Sequence, residues 1–225
     1  MKKSTLEPKG RAALLETGLP LEYLANAISL SFERGEMLFK EGLPVEYLMI
    51  VTSGKGQIST AAPNGKKLLM DFFGEGTLLG AVELPLNIPT TTDVQATEKT
   101  CCAAMPMEHC RKAFKACPAF SNHLTHILAE IVMRNSNNAA VNILSSLRER
   151  LCAYIVSTQC NGTFSANFSQ LAEMLGVSNR HMFRELKRLC ADGIISKTPS
   201  GYVITNEASL LAIASNYYIL RNTPR

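Results

Sequence analysis

Residues 169–192 read SQLAEMLGVSNRHMFRELKRLCAD and contain two short helical patterns separated by three residues. The first pattern covers 169–175 and the second begins at Asn179. Gly176 permits the positive φ with which many helices end, and the Ser178 hydroxyl can cap the helix that follows. Two helices joined by a short turn containing glycine are typical of a helix-turn-helix. The stretch therefore predicts this motif in the last third of the chain.

The second helix of the motif has an apolar face and a basic face. Met182, Leu186 and Leu189 fall on one side at helical spacing. The opposite side carries basic and amide side chains, which are Asn179, Arg180, Arg184, Lys187 and Arg188, with His181 beside them. Such a basic face suits the major groove of duplex DNA, although a charged helix face can also be simply solvated. A hairpin pattern at 194–204, with its turn at 198–201, follows the helix and predicts a wing.

The start of the second helix supplies the predicted base readers. Arg180 is predicted to read guanine through its O6 and N7 atoms, and Asn179 is a candidate reader of adenine. Most of the other polar side chains are predicted to contact phosphates or to make mixed contacts. The full set of predicted DNA-binding residues is Ser169, Gln170, Ser178, Asn179, Arg180, His181, Arg184 and Lys187.

The positive charge of the chain lies at one end of the sequence. The 225 residues carry a formal net charge of +4. Residues 1–144 hold 14 Lys and Arg against 14 Asp and Glu, whereas residues 145–225 hold 9 against 5. This asymmetry favours an anionic partner for the C-terminal part, and a chance excess of four charges is the alternative.

The front part of the chain has the pattern of an all-β domain. Short segments rich in Leu, Ile, Val, Phe and Tyr alternate with glycines from Leu30 onward, and the pattern ends near Pro106. Regularly spaced short strands with turn residues between them are typical of a sandwich or barrel. Asn64-Gly65 is the strongest hairpin signal, because both residues tolerate positive φ.

Helical patterns precede and follow these strands. One short helix is predicted over 11–29 and another over 108–117, and Pro118 begins a third. In the third helix Phe120, Leu124, Ile127 and Ile131 form a narrow apolar seam, which we interpret as the contact with a partner helix. Arg134 and Asn138 occupy the positions that continue this seam, and Asn135, Asn137 and Asn142 lie close by. These asparagines are interpreted as solvated, with a register-fixing role as the alternative.

Several classes of protein are not favoured by the sequence. The basic start Met1-Lys2-Lys3 is followed by no apolar signal segment, and no run of 18 apolar residues predicts a membrane span. Seven irregularly spaced cysteines argue for reduced thiols and a cytoplasmic location. The sequence has no nucleophile-and-base pattern and no P-loop, so no enzyme is predicted.

Two motifs in the front part carry a family resemblance. Residues 32–42 read FERGEMLFKEG and residues 47–54 read YLMIVTSG. The segments DFFG at 71–74, LG at 79–80 and VQA at 94–96 follow at matching intervals. Together with the helix-turn-helix, this pattern resembles the CRP/FNR superfamily of bacterial transcription regulators over nearly the whole chain, and it is most similar to the YeiL-like branch.

The resemblance implies an α+β chain of three parts. Residues 1–118 would form a cyclic-nucleotide-binding-like β-roll sensor of the double-stranded jelly-roll type, and 119–144 a dimerisation helix. Residues 145–225 would form a winged helix-turn-helix. The implied function is sequence-specific binding of a homodimer to a two-fold operator in double-stranded DNA, with RNA polymerase as a partner if the protein is an activator. The alternative is a ligand- or redox-sensing module whose C-terminal domain mediates protein interaction.

The sequence departs from this family where a cyclic nucleotide would bind. Family members that bind one hold the ribose with a Glu directly after the cassette glycine, but Ala81 follows Gly80 here and Glu83 comes two residues later. The phosphate-binding Arg is replaced near Thr90 by a run of threonines. Since a phosphodiester would lack its guanidinium partner, we expect an effector other than cAMP, without a phosphate, or none. The candidate effector pocket comprises Gly80, Ala81, Glu83, Thr90, Thr91 and Thr92.

The cysteines leave a redox function open as an alternative. No cofactor and no metal site are predicted, because Cys101 and Cys102 would point to opposite faces of a strand. Cys110 and Cys117 share a helix face with Phe114, which suits buried packing. An iron–sulfur cluster built from these four cysteines is the alternative. His109, His123 and His126 match no metal-binding spacing.

Overall fold

The computed structural model describes residues 1–61 and 67–214, without the side chains of 140–142. The predicted Asn64-Gly65 turn and the side chain of Asn142 lie outside the described residues. The chain packs as two units, which comprise residues 1–58 with 73–135, and 59–72 with the chain from 136 onward. Helices and antiparallel sheets are both present, as the α+β prediction requires.

The front part is built from two antiparallel sheets that contribute to one core. The five-stranded sheet has the order β1-β2-β9-β4-β7 and the four-stranded sheet the order β3-β8-β5-β6. The predicted end of the strands at Pro106 is confirmed. The strands are β1 (Lys2–Thr5), β2 (Ile28–Phe32), β3 (Met37–Phe39), β4 (Tyr47–Ser53), β5 (Gly56–Ala61), β6 (Lys67–Phe73), β7 (Leu78–Leu79), β8 (Asp93–Ala96) and β9 (Thr100–Pro106). The helices of this part are α1 (Pro8–Glu16), α2 (Glu83–Leu86) and α3 (Met107–Ala116).

Gly54 shows why the motif YLMIVTSG ends in glycine. Its φ is +87°, and a Cβ atom at this position would overlap the carbonyl oxygen of Lys99. Any other residue would therefore meet both backbone strain and a collision with main chain that cannot move aside. The turn from β4 to β5 depends on this residue.

The helix predicted over 11–29 is wrong in its extent. The structure has α1 over Pro8–Glu16, then a 3₁₀ helix over Leu21–Asn26, and β2 already starts at Ile28. Gly18, at a φ of +82°, interrupts the helical path, and Pro20 follows it. The leucines keep their helical spacing on both sides of the break that Gly18 and Pro20 impose, so spacing alone did not reveal it.

The long helix α4 spans Pro118–Leu144, but its predicted seam faces the chain itself. Phe120 and Leu124 are fully buried in the core of the first unit, and Ile127 and Ile131 pack against the same core. For Phe120 and Leu124 the interpretation as the contact with a partner helix is therefore wrong, whereas Ile127 and Ile131 are only partly covered by this core. Periodicity identified the apolar face correctly, but it carries no information about which surface covers that face.

Asn138 is buried rather than solvated. Its side-chain Nδ2 donates a hydrogen bond of 2.9 Å to the carbonyl oxygen of Met70 on β6. Asn135 and Asn137 are exposed, as expected. A buried amide needs such a partner, so this bond fixes the position of α4 against β6 within the second unit.

The second unit is completed by a winged bundle of helices. Its core includes Leu69 and Phe72 of β6, and the Phe72 ring lies 5.6 Å from that of Tyr154 between centroids. A three-stranded sheet has the order β10-β12-β11. The elements are α5 (Leu147–Thr158), β10 (Thr163–Phe164), α6 (Phe168–Met174), α7 (Asn179–Ala191), β11 (Ile195–Thr198), β12 (Gly201–Ile204) and α8 (Glu207–Ala214). None of the described helices is long and apolar enough to span a bilayer.

Candidate nucleic-acid interface

Helices α6 and α7 form the predicted helix-turn-helix, and each begins at a side-chain cap. The Asn167 Oδ1 atom accepts the backbone N–H of Gln170 at 3.2 Å, which caps α6. The Ser178 Oγ atom accepts the backbone N–H of His181 at 3.2 Å, which caps α7. Each cap satisfies an N–H that has no partner within its helix, and each contributes about 1 kcal/mol.

Helices α6 and α7 are each followed by a glycine in the left-handed conformation. Gly176 has a φ of +68°, and the N–H of Val177 bonds to the Ala172 carbonyl at 2.9 Å. Gly193 has a φ of +70°, and the N–H of Ile194 bonds to the Leu189 carbonyl at 3.0 Å. These are Schellman closures, which satisfy the last carbonyls of α6 and α7 with main-chain donors.

Helix α7 presents its predicted faces. Met182, Leu186 and Leu189 are fully buried in the core of the second unit. Arg180, Arg184 and Lys187 are exposed on the opposite face, and no described residue forms an ion pair with them. Because no carboxylate in the described part of the chain neutralises them, these three cations remain available to an external anion.

The other predicted DNA-binding residues lie at the first turns of the two helices. Asn179 is exposed at the start of α7, and His181 is partly buried beside it. Ser169 is exposed and Gln170 half-buried in the first turn of α6. The structure thus brings all eight residues to the N-terminal turns and the exposed face of one motif.

A network of ion pairs that the sequence did not reveal holds α7 against α5. The Glu185 carboxylate is buried on α7, and it accepts hydrogen bonds from Arg148 Nη1 at 3.3 Å and Arg188 Nη1 at 3.2 Å. Arg148 Nη2 also donates to Asp192 at 2.5 Å, at the end of α7. The hydrogen bond to Asp192 is the main reason why the pKa of Arg148 is raised. Arg148 therefore connects α5 to both the middle and the end of α7.

Arg150 supports the turn of the motif in a similar way. Its Nη1 donates a hydrogen bond of 2.8 Å to the carbonyl of Leu175, the last residue before Gly176. Arg148, Arg150 and Arg188 thus serve internal contacts. The sequence predicts Arg188 on the basic outer face, but the structure pairs it with Glu185. The i, i+3 spacing of Glu185 and Arg188 was the signal available in the sequence.

The predicted wing is present beside α7. Strands β11 and β12 pair in antiparallel register with Thr198 opposite Gly201, which leaves a two-residue loop. Lys197 on β11 is exposed and adds a cation that the predicted set did not include. An open groove of about 550 Å³ lies between α7 and the wing.

The candidate effector residues fall into two groups in the structure. Gly80 and Ala81 precede α2, and Glu83 begins it; Ala81 and Glu83 are buried. Thr90 is also buried, but its main chain bonds to Gly42 and Leu43, and its hydroxyl donates to the Thr92 carbonyl at 3.1 Å. Thr91 is exposed and Thr92 half-buried. No hydrogen bond among the described residues joins the two groups, and these bonds of Thr90 hold its own loop.

Comparison with known proteins agrees with both halves of this architecture. The Cyclic nucleotide-binding domain family matches residues 29–117, and the Crp-like helix-turn-helix domain family matches residues 149–213. Regulatory protein YeiL of Escherichia coli O157:H7 is 31% identical over 179 residues, which are 80% of this chain and 82% of that protein. The chain belongs to the CRP/FNR superfamily of transcription regulators. The predicted resemblance to this superfamily and its YeiL-like branch is confirmed.

More distant CRP/FNR relatives cover nearly the whole chain. The CRP-like cAMP-activated global transcriptional regulator of Mycobacterium tuberculosis (strain CDC 1551 / Oshkosh) is 24% identical over 215 residues, 91% of this chain and 92% of that protein. A solved structure described as a CRP/FNR-family transcriptional regulator from Eubacterium rectale superposes with a TM-score of 0.76 at 17% identity, over 89% of this chain and 97% of that one. At that identity the superposition supports the fold alone.

The cysteines of this CRP/FNR chain are all free in the described residues. Cys102 and Cys110 are buried, and burial raises the pKa of each thiol to about 12. Cys101 and Cys117 are partly buried, and the Cys117 thiol donates to the Gly18 carbonyl at 3.4 Å. Within the described ranges no three His, Cys, Asp or Glu side chains are grouped closely enough to hold a metal ion.

Replacing Arg148 by methionine is expected to destabilise the second unit by about 1–3 kcal/mol. The substitution leaves the buried Glu185 carboxylate with Arg188 as its one remaining partner in the network, and Arg188 is largely exposed. Denaturant unfolding followed by circular dichroism measures the change. Arg184→Met is the matched control on α7, and it is expected to change stability by less than about 0.5 kcal/mol. Equal stability of the two variants would show that the network does not hold α7.

Proposed function

We propose that this regulator binds a two-fold operator as a homodimer and reads its sequence with α7. The observation that carries the proposal is the exposed face of α7, where Arg180, Arg184 and Lys187 have no ion-pair partner among the described residues. The other arginines of the motif are engaged in internal contacts, so the remaining cations concentrate on this one surface. A regulator of this kind would work in the cytoplasm, with RNA polymerase as a partner if it activates.

The roles along α7 follow from the distance of each residue from the helix start. Arg180 and Asn179 lie in the first turn, where the N-terminal residues of a recognition helix meet base edges. Arg184 and Lys187 lie one and two turns later and are suited to phosphates or mixed contacts. Lys197 on the wing would meet the phosphate backbone beside the groove.

Arg180→Ala is expected to weaken binding to the operator and to relax the preference at one base pair in each half-site. A good bidentate contact to guanine is worth about 1–3 kcal/mol, which is roughly a 5- to 150-fold change in affinity. The operator is first selected from a random duplex library, and fluorescence anisotropy then measures the affinity for it and for single-base variants.

Lys187→Ala serves as the comparison for a phosphate contact. It is expected to weaken all duplexes alike and to lower the salt dependence by about one unit of slope. Lys115→Ala, an exposed lysine of α3 in the other unit, is the unaffected control. Unchanged operator binding by Arg180→Ala would refute its role as a base reader.

The homodimer is proposed to form along a second stripe of α4. Ala129, Val132, Ser136, Ala139 and Ile143 follow a 3-4-3-4 spacing and are all exposed, Val132 by 65% and Ile143 by 82%. This spacing is that of a coiled-coil seam, and its small residues allow two helices to approach closely. The first stripe packs against the core of the first unit, and the second stripe is exposed to solvent, where a partner copy could cover it.

Val132→Glu is expected to convert the dimer to a monomer at micromolar concentration. A carboxylate in an apolar helix seam would be desolvated without a partner. Sedimentation velocity measures the oligomeric state, and Asn137→Glu, on another face of α4, is the control that stays dimeric. A Val132→Glu variant that sediments as a dimer would remove α4 as the interface.

The sensor is proposed to bind an effector that carries no phosphate, or to bind no effector. Residues 81–98 contain no Lys or Arg and carry the carboxylates of Glu83, Asp93 and Glu98. The hydroxyl of Thr90, near the position of the family arginine, is already bonded to Thr92. The segment thus offers a phosphodiester no cation and several like charges. The Mycobacterium tuberculosis relative is named as cAMP-activated, but this segment lacks the cation with which we would expect cAMP to be held.

Millimolar cAMP or cGMP is expected to leave the melting temperature of the protein unchanged. A ligand that binds only the folded state stabilises it by RT ln(1 + [L]/Kd) and so raises that temperature, whereas absence of binding gives no shift. Differential scanning fluorimetry measures this, with NaCl at equal ionic strength as the control. A rise that grows with the logarithm of the nucleotide concentration and exceeds that of the salt control would overturn the proposal for the sensor.

A further inference from the structure

Phe183 is an aromatic side chain on the otherwise polar outer face of α7. Within α7, all of which is described, it is the large apolar residue that stays exposed, by 42%. It lies one turn after Asn179 and one turn before Lys187, and Arg184 follows it directly. Residues four apart are neighbours on a helix surface, so the ring is flanked by the groups proposed to meet DNA.

The ring of Phe183 packs against a row of aromatic rings on the side that faces the core. Its centroid lies 5.7 Å from that of Phe168, at an interplanar angle of 51°. Phe168 in turn contacts Tyr202 on the wing at 5.7 Å and Phe164 at 5.9 Å, both edge to face. Phe164 is buried, so the row of rings runs from the core to the surface. A side chain that is already positioned loses little conformational entropy when it binds.

The ring needs an apolar partner on the DNA. Among the base edges of the major groove, the 5-methyl group of thymine is the apolar feature, and phenylalanine is one of the side chains that contact it. We propose that Phe183 reads a thymine in each half-site by packing its ring against that methyl group, next to the base contacted by Arg180. The inference rests on the proposed function, because it requires α7 to enter the major groove.

Removing single methyl groups from the DNA tests this contact directly. Each thymine of the selected operator is replaced in turn by deoxyuridine, which lacks only the 5-methyl group, and affinities of the full-length protein are measured by fluorescence anisotropy. Replacement of one particular thymine in each half-site is expected to lower the affinity, by about fourfold per half-site. That loss corresponds to about 0.8 kcal/mol for one buried methyl group, at 1.4 kcal/mol per tenfold.

The variants assign the effect to Phe183. Phe183→Ala is expected to bind the thymine and deoxyuridine operators equally. Leu211→Ala is the matched control, because Leu211 on α8 is 43% exposed, and it should keep the full fourfold difference. Phe183→Leu retains an apolar group on Phe168 and is used if Phe183→Ala does not fold. Its shorter side chain is expected to leave less than a twofold difference.

The outcomes separate this inference from the function on which it rests. If the wild type selects an operator but responds to no deoxyuridine, or if both Phe183 variants keep the full fourfold difference, the thymine contact is overturned and operator binding stands. If the wild type selects no duplex, the proposed function fails, and the inference fails with it. A fourfold loss that disappears in Phe183→Ala supports the contact, because a ring that only packed against Phe168 would not distinguish the two bases.

Discussion

The buried carboxylate of Glu185 is the constraint on which the arrangement of the helix-turn-helix depends. It sits on the inner side of α7, among the apolar residues that bury that side, and a charge there is tolerated only with partners. Arg148 supplies one partner from α5 and uses its second nitrogen for Asp192. A guanidinium can make both bonds because its donors form a rigid planar fork, which a lysine could not reproduce. The rotation of α7 about its own axis is thereby set, and with it the direction in which Arg180, Arg184 and Lys187 point.

The same network explains how the basic charge of this unit is divided. Arg148, Arg150 and Arg188 donate hydrogen bonds to acceptors within the helix-turn-helix. The cations on the outer face of α7 and on the wing instead face solvent. A net charge of +4 is too small to indicate a nucleic-acid partner by its size. The location of the charge is informative, because the arginines bonded internally and the exposed cations lie on different sides of the same unit.

Local features of this molecule were predictable from the sequence, and long-range ones were not. The turn at Gly176, the cap at Ser178 and the apolar stripe of α7 each depend on residues within one or two turns of each other, so spacing alone identifies them. The covering of α4 depends on strands far away in the sequence. Phe120 and Leu124 were therefore placed on the correct face of the helix but assigned to the wrong neighbour.

Partners distant in sequence account for the remaining differences. The bond between Asn138 and Met70 spans 68 residues, and that between Arg148 and Glu185 spans 37. No periodicity encodes such pairs, so Asn138 was interpreted as solvated and the role of Arg148 was not predicted. The exposed ring of Phe183 was missed for a related reason. Its position on the helix was evident, but the aromatic row that holds it becomes visible only when α6, the wing and α7 are assembled.

The two glycine closures at Gly176 and Gly193 have a consequence for how this protein can evolve. Main-chain hydrogen bonds fix where α6 and α7 stop, and the cap at Ser178 fixes where α7 starts. The outer side chains of α7 take no part in these bonds, so they can be exchanged at little cost in folding stability. Insertions would break a closure, whereas substitutions on the outer face would not. The motif therefore separates the residues that maintain the fold from those that choose the operator, and a gene duplicate could acquire new targets through a few point substitutions.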